Sequence, residues 1–115
     1  MGGKFILDTN IVIALFAGDK AVKDKVTQAE EIYVPIIVLG ELHYGAKKSS
    51  QVAANVARIE EFASSTSVLM CDRTTARFYG EVKEGLRRKG TPIPENDIWI
   101  AAIARQHEMS LVARD

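Results

Sequence analysis

Apolar residues in this chain fall into short unbroken runs that alternate with longer stretches of helical spacing. Phe5-Ile6-Leu7 has no polar position within it, which suits a strand buried on both faces, and it runs directly into Asp8. Ile11 to Phe16 continues apolar and reads as the first turns of a buried helix, broken at Gly18 and Asp19. A short charged helix is expected next, over about 19–28. Ile32-Tyr33-Val34 is a second strand-like run stopped by Pro35, and Pro suits the first turn of a helix, so Ile36 to about Lys48 is expected to be helical. Val52, Val56, Ile59 and Ala63 carry helical spacing through a further stretch.

The second half repeats the alternation. Ser67 to Cys71 reads as a third strand, and Asp72 as the N-cap of a helix carrying a stripe of Thr75, Tyr79, Val82 and Leu86. Gly90 and Pro92 end that helix. Pro94 and Asn96 precede another, expected over about 97–107, and Ser110 to Ala113 is a fourth strand. Strands alternating with helices four times indicate an α/β fold with a mainly parallel central sheet flanked by helices. No repeat, low-complexity segment or linker interrupts the pattern, so residues 1–115 are expected to form a single domain.

Composition narrows the function classes. Lys plus Arg and Asp plus Glu number 15 each, so the formal net charge is zero, which argues against a binder that holds nucleic acid with its whole surface. The single cysteine permits no internal disulfide, and one Cys with two separated His makes no zinc-type cluster. The apolar runs are too short to span a bilayer and the start carries no secretory segment, so a cytoplasmic protein without membrane association is expected. Cys71 reads as a small buried apolar residue.

The acids fall at informative places. Ligands of a parallel α/β sheet bind outside the carboxyl ends of its strands. Asp8 ends the first strand, Asp72 the third, Asp115 follows the fourth, and Asp97 opens the helix leading into it. Glu41 interrupts an otherwise apolar helical segment and has no basic residue one turn away. Charges so placed need a donor, a proton or a cation. If the acids converge, their repulsion raises their pKa values, and a hard divalent cation removes it. Each also has a local explanation: Asp8 as a helix cap, Glu41 as a solvated residue, Asp97 as a first-turn acid favoured by the helix dipole. For Asp72 the cap is the stronger reading. Both readings of the other acids stand at this point.

Four segments together resemble the PIN-domain family, in particular the VapC-type toxin ribonucleases of type II toxin–antitoxin systems. They are Ile6 to Asn10, Gly40 to Gly45, Asn96 to Ala102 and Leu111 to Asp115, in the family's order along essentially the whole chain. The resemblance implies an endoribonuclease that depends on Mg²⁺, with Mn²⁺ as substitute, and hydrolyses a phosphodiester in single-stranded or loop RNA. It implies that Asp8, Glu41, Asp97 and Asp115 hold the metal and carry catalysis, with Thr9 and Asn96 supporting them. It also implies a cognate antitoxin protein and a homodimer. Members of the family usually continue past the fourth acid, so a C-terminal strand is expected to be missing from a chain that stops at Asp115.

Other residues add candidates. Arg73, Arg87, Arg88 and Lys89 are candidates for RNA contact, since affinity beside an acidic site needs positive charge nearby. His43 lies two residues past Glu41, on the opposite side of a helix, and His107 suits a helix C-terminus. Three other functions compete: a PIN-fold nuclease of RNA processing, a receiver-like metal-binding signalling module, and a phosphohydrolase with an Asp nucleophile. The receiver lacks its adjacent acids after the first strand. The phosphohydrolase lacks its second Asp, since position 10 is Asn.

Overall fold

The protein is described by a computed structural model covering residues 4–113. Among these residues four parallel strands form a sheet: β1 (Lys4–Leu7), β2 (Glu31–Pro35), β3 (Ser67–Leu69) and β4 (Ser110–Val112). Their spatial order is β3-β2-β1-β4. Six helices connect them: α1 (Thr9–Phe16), α2 (Lys20–Gln28), α3 (Ile36–Lys47), α4 (Val52–Ser64), α5 (Arg73–Lys89) and α6 (Glu95–His107). The expected α/β class and mainly parallel sheet are therefore present.

β1 is an inner strand, as is β2. Phe5 pairs with Ile32 on one side and Ser110 on the other, and Ile6 lies between Tyr33 and Leu111. An inner parallel strand is covered on both faces, which is why its sequence shows no polar alternation. Ile6 and Leu7 are fully buried, together with Val12 of α1, Val34 of β2, Val38 of α3, and Ile100 and Ile103 of α6. Phe16 and Phe62 meet edge to face across α1 and α4, with ring centroids 5.4 Å apart. This core fixes the relative positions of α1, α3 and α6, the three helices that bear on the site.

The strand order also locates a crevice. From β1 the chain proceeds to β2 and then β3 on one side, and it returns to the other side only with β4. The direction of winding reverses between β1 and β4, and such a switch point is where open α/β sheets leave room for ligands at the strands' carboxyl ends. The backbone N–H of Asp8 donates to the carbonyl of Val112 at 3.0 Å, which ties the residue after β1 to the end of β4.

Two boundaries differ from the sequence expectation. β3 stops at Leu69 rather than Cys71, because its neighbour β2 ends at Pro35, the partner of Leu69. Cys71 is consequently exposed, not buried. α6 begins at Glu95, with Pro94 at the cap, so Asn96 lies inside its first turn rather than before it, and Asp97 is its third residue rather than its first. At the end of α5, Gly90 takes a left-handed φ of 68°, the conformation that lets glycine terminate a helix. Arg114 and Asp115 lie outside the described residues.

Candidate active site

Asp8 is held by the junction of β1 and α1. It caps α1, and its carboxylate accepts a hydrogen bond of 2.7 Å from the Thr9 N–H. The local capping explanation is therefore correct for Asp8, but it occupies only one carboxylate oxygen. Thr9 turns its hydroxyl elsewhere: Oγ1 donates to Glu41 Oε1 at 2.5 Å, across from α1 to α3. That length is typical of a hydroxyl bonded to an ionised carboxylate. It supplies the donor that Glu41 lacks on its own helix and leaves Oε2 for another partner.

Asp97 joins them from α6. A first-turn acid feels the helix dipole, which by itself favours its ionised form and lowers its pKa. The opposite is found: the Asp97 carboxyl is raised above its ordinary value, first by partial desolvation and then by the charges of Asp8 and Glu41. Although Asp97 is exposed as a residue, its carboxyl faces two others of like charge. A first-turn acid explained by the helix dipole alone would not be raised, so desolvation and the charges of Asp8 and Glu41 outweigh the dipole at Asp97. Asn96 is drawn into the same region, lining a groove with Thr9 and Glu41.

The donor set is all oxygen and anionic, which suits a hard divalent cation. Among the described residues, no three His, Cys, Asp or Glu side chains stand close enough to close on one ion by themselves. An open arrangement of this kind fits a cation that keeps several waters and takes only one or two carboxylates directly. The fourth expected acid, Asp115, is outside the described residues.

The basic candidates separate. α5 and α6 run antiparallel, with Thr75 bonded to Gln106 at one end and Lys83 to Glu95 at the other. Arg87, Arg88 and Lys89 stand at the end beside Glu95, hence on the side of Asp97. Arg87 and Arg88 are both engaged by Glu84, at 2.7 and 3.0 Å. Arg73 begins α5 at the opposite end: Asp72 accepts from Gln106 at 3.1 Å, nine residues along α6 from Asp97. That is about 13 Å of helix, which puts the start of α5 and the Arg87–Lys89 cluster at opposite ends of the α5–α6 pair. Asp72 is the N-cap expected of it, in a reciprocal box with Thr75. His43 is turned away from the site and pairs with Glu60 of α4 at 3.1 Å.

Two groove residues were not singled out from the sequence. Tyr44 and Lys48 continue the helical face that carries Glu41. Their signal is the spacing of three and seven residues from Glu41 on one helix.

Comparison with known proteins gives the same answer as the geometry. Residues 5–115 match the family model described as PIN domain. The ribonuclease VapC2 of Haemophilus influenzae is 38% identical over 114 residues, covering 97% of this chain and 86% of the relative. A tRNA(fMet)-specific endonuclease VapC of Shigella flexneri is 34% identical with the same coverage. Among solved structures, VapBC2 from Rickettsia felis bound to a promoter DNA fragment superposes with a TM-score of 0.88 at 28% identity, covering 97% of this chain and 87% of that one. DNA-bound VapBC from Salmonella typhimurium does so with a TM-score of 0.84 at 32% identity, covering 95% and 83%. Nucleases of the PIN family generally depend on a divalent metal. On the motif order, the sheet topology and these matches, the chain belongs to the PIN-domain family, in its VapC ribonuclease branch.

Proposed function

We propose that this protein is an endoribonuclease and the toxin of a VapBC-type pair, with Asp8, Glu41 and Asp97 forming a Mg²⁺ site that also accepts Mn²⁺. The observation that carries the reading is the Thr9–Glu41 hydrogen bond, which brings α3 to the residue beside Asp8 at the sheet's switch point, with Asn96 of α6 lining the same groove. The Asp97 carboxyl, raised by partial desolvation and then by the charges of Asp8 and Glu41, agrees with it. Asp115 is proposed as a fourth member. The names of the relatives support the ribonuclease activity, and the neighbouring toxin–antitoxin complexes support an antitoxin partner. A homodimer and a cytoplasmic location are proposed with it. Among the described residues, no helix is long and apolar enough to cross a membrane.

The division of labour follows from the geometry. A bound divalent cation would activate water and offset charge on the phosphodiester. Asp8 and Asp97 would hold that cation. The Thr9 hydroxyl fixes Glu41 through Oε1, so that Oε2 orients water. Asn96, without charge, contributes an amide to the groove. In the overall step, water attacks phosphorus, the bond to the leaving ribose oxygen breaks, and that oxygen acquires a proton. The positive end of α5 attracts the phosphate backbone, with Lys89 and the partly neutralised Arg87 and Arg88 contributing mainly to encounter. Arg73 stands at the opposite end of α5 from that cluster.

The test is cleavage of a mixed RNA panel with Mg²⁺, Mn²⁺ or EDTA. Wild type is expected to cut with either metal and not with EDTA, and folded Asp8→Asn and Asp97→Asn to be inactive. Cleavage that persists in EDTA, or in both variants, would remove the metal-site reading.

A further inference from the structure

The groove beside Glu41 has features that the carboxylate site does not use. Its lining includes Thr9, Glu41, Tyr44, Gly45, Lys48 and Asn96. Glu41, Tyr44, Gly45 and Lys48 stand at i, i+3, i+4 and i+7 and so share one face of α3. Tyr44 is 65% exposed, and the Lys48 ammonium lies 4.5 Å from its ring centroid. A single exposed aromatic is ordinary. Three further observations set this one apart.

First, Lys48 has no carboxylate within ion-pairing distance among the described residues, whereas Arg87 and Arg88 are both committed to Glu84. Second, α3 carries Gly40 and Gly45 in its interior, where glycine weakens a helix relative to alanine. A Cβ at either position would meet nothing within 4 Å, and neither has a positive φ, so the chain's own packing requires glycine at neither. Both line the groove, and the space they leave is open to a molecule from outside. Third, the groove is continuous with the carboxylates through Glu41 and Thr9. From Glu41 to Lys48 is about 10 Å of helix.

We propose that this groove is a nucleotide subsite, in which the Tyr44 ring stacks on an unpaired RNA base flanking the scissile phosphate while Lys48 holds an adjacent phosphate. The assignment rests on the ribonuclease reading and adds to it the side chains that hold the nucleotide beside the scissile phosphate. Aromatic stacking accepts any base, so Tyr44 sets a requirement for an unpaired nucleotide rather than for a sequence. RNA is favoured over a second copy of the chain because the groove runs into an acidic site, where a polyanion needs positive charge nearby and Lys48 is placed to supply it.

The test is binding of a fluorescein-labelled single-stranded RNA oligonucleotide, followed by anisotropy in EDTA and again with Ca²⁺, with cleavage in Mg²⁺ and Mn²⁺ measured in parallel. Tyr44→Ala is expected to weaken binding about 10-fold and Tyr44→Phe to stay within about twofold, since the ring does the stacking. Lys48→Ala is expected to weaken binding and to lower the salt dependence by about 0.7 in the log–log slope. Unchanged binding by Tyr44→Ala would overturn the subsite, as would a loss that coincides with dissociation of a dimer in light scattering. Absence of RNA binding by wild type would overturn it too. Wild-type cleavage with unchanged Tyr44→Ala binding removes the subsite alone. Tyr44-dependent binding without cleavage by wild type keeps the groove as an RNA-binding site but overturns its place beside a scissile phosphate, together with the nuclease reading.

Discussion

The Thr9 hydroxyl donates to Glu41 Oε1 at 2.5 Å, joining the first residue of α1 to the middle of α3. This contact spans 32 residues of sequence and orients an acid with no basic neighbour on its own helix. Thr9→Val keeps the shape and removes the donor. Partners that orient a metal site are typically worth about 10- to 100-fold in metal affinity or activity, and a loss of that size is expected, with the melting temperature little changed. Thr9→Ser should recover most of it. Mn²⁺ affinity and RNA cleavage, read side by side, check the point.

Asp97 gives a second prediction. Its folded pKa is raised, so the stability it contributes is fully present below the unfolded carboxylate value and is lost as pH rises through the folded pKa. At neutral pH the ionised group therefore opposes folding in metal-free protein. In EDTA, Asp97→Asn is expected to melt at or above the wild-type temperature at pH 7, with the gap closing in acid. Added Mg²⁺ or Mn²⁺ should raise the wild-type melting temperature and leave the variant's unchanged, since only a folded-state ligand stabilises. A variant that melts lower in EDTA and still responds to metal would contradict the carboxylate cluster.

Thr75 predicts a purely structural effect. It is the one buried polar residue among those described; its hydroxyl donates to Gln106 Oε1 at 2.5 Å and its N–H to Asp72 Oδ1 at 3.0 Å. Thr75→Val removes the hydroxyl while keeping the volume and strands the buried side of that network. A loss of about 1–3 kcal/mol in urea unfolding is expected, with kcat of the folded protein unchanged. The Asp72 carboxyl is held below the ordinary range, mainly by the Thr75 N–H. Its contribution is present above the unfolded carboxylate value and disappears as pH falls through the folded one. Asp72→Asn should therefore lower the melting temperature at pH 7 and less so in strong acid.

These residues also mark how far the sequence could be read. β1 and Asp8 were legible because a fully buried inner strand needs an unbroken apolar run, and the acid follows it directly. Glu41 stood out because nothing on its own helix could satisfy it. Boundaries set by partners were not legible: β3 ends at Leu69 because Pro35 ends β2, and that left Cys71 exposed against expectation. α6 starts two residues early because Pro94 serves as its cap. Arg73 was grouped with Arg87, Arg88 and Lys89 as a candidate for RNA contact, yet the Asp72–Gln106 bond fixes it at the opposite end of the α5–α6 pair. The Tyr44–Lys48 pair was overlooked because local patterning shows a face of α3, not what that face borders.

The central claim is that Asp8, Glu41 and Asp97 act together on one divalent cation. The most direct measurement is a Mn²⁺ titration followed by electron paramagnetic resonance on wild type and on Asp8→Asn, Glu41→Gln and Asp97→Asn, each verified as folded by circular dichroism. Saturable binding by wild type, weakened at least about 10-fold in every variant, is the predicted result. Mn²⁺ binding with wild-type affinity in all three variants would contradict it.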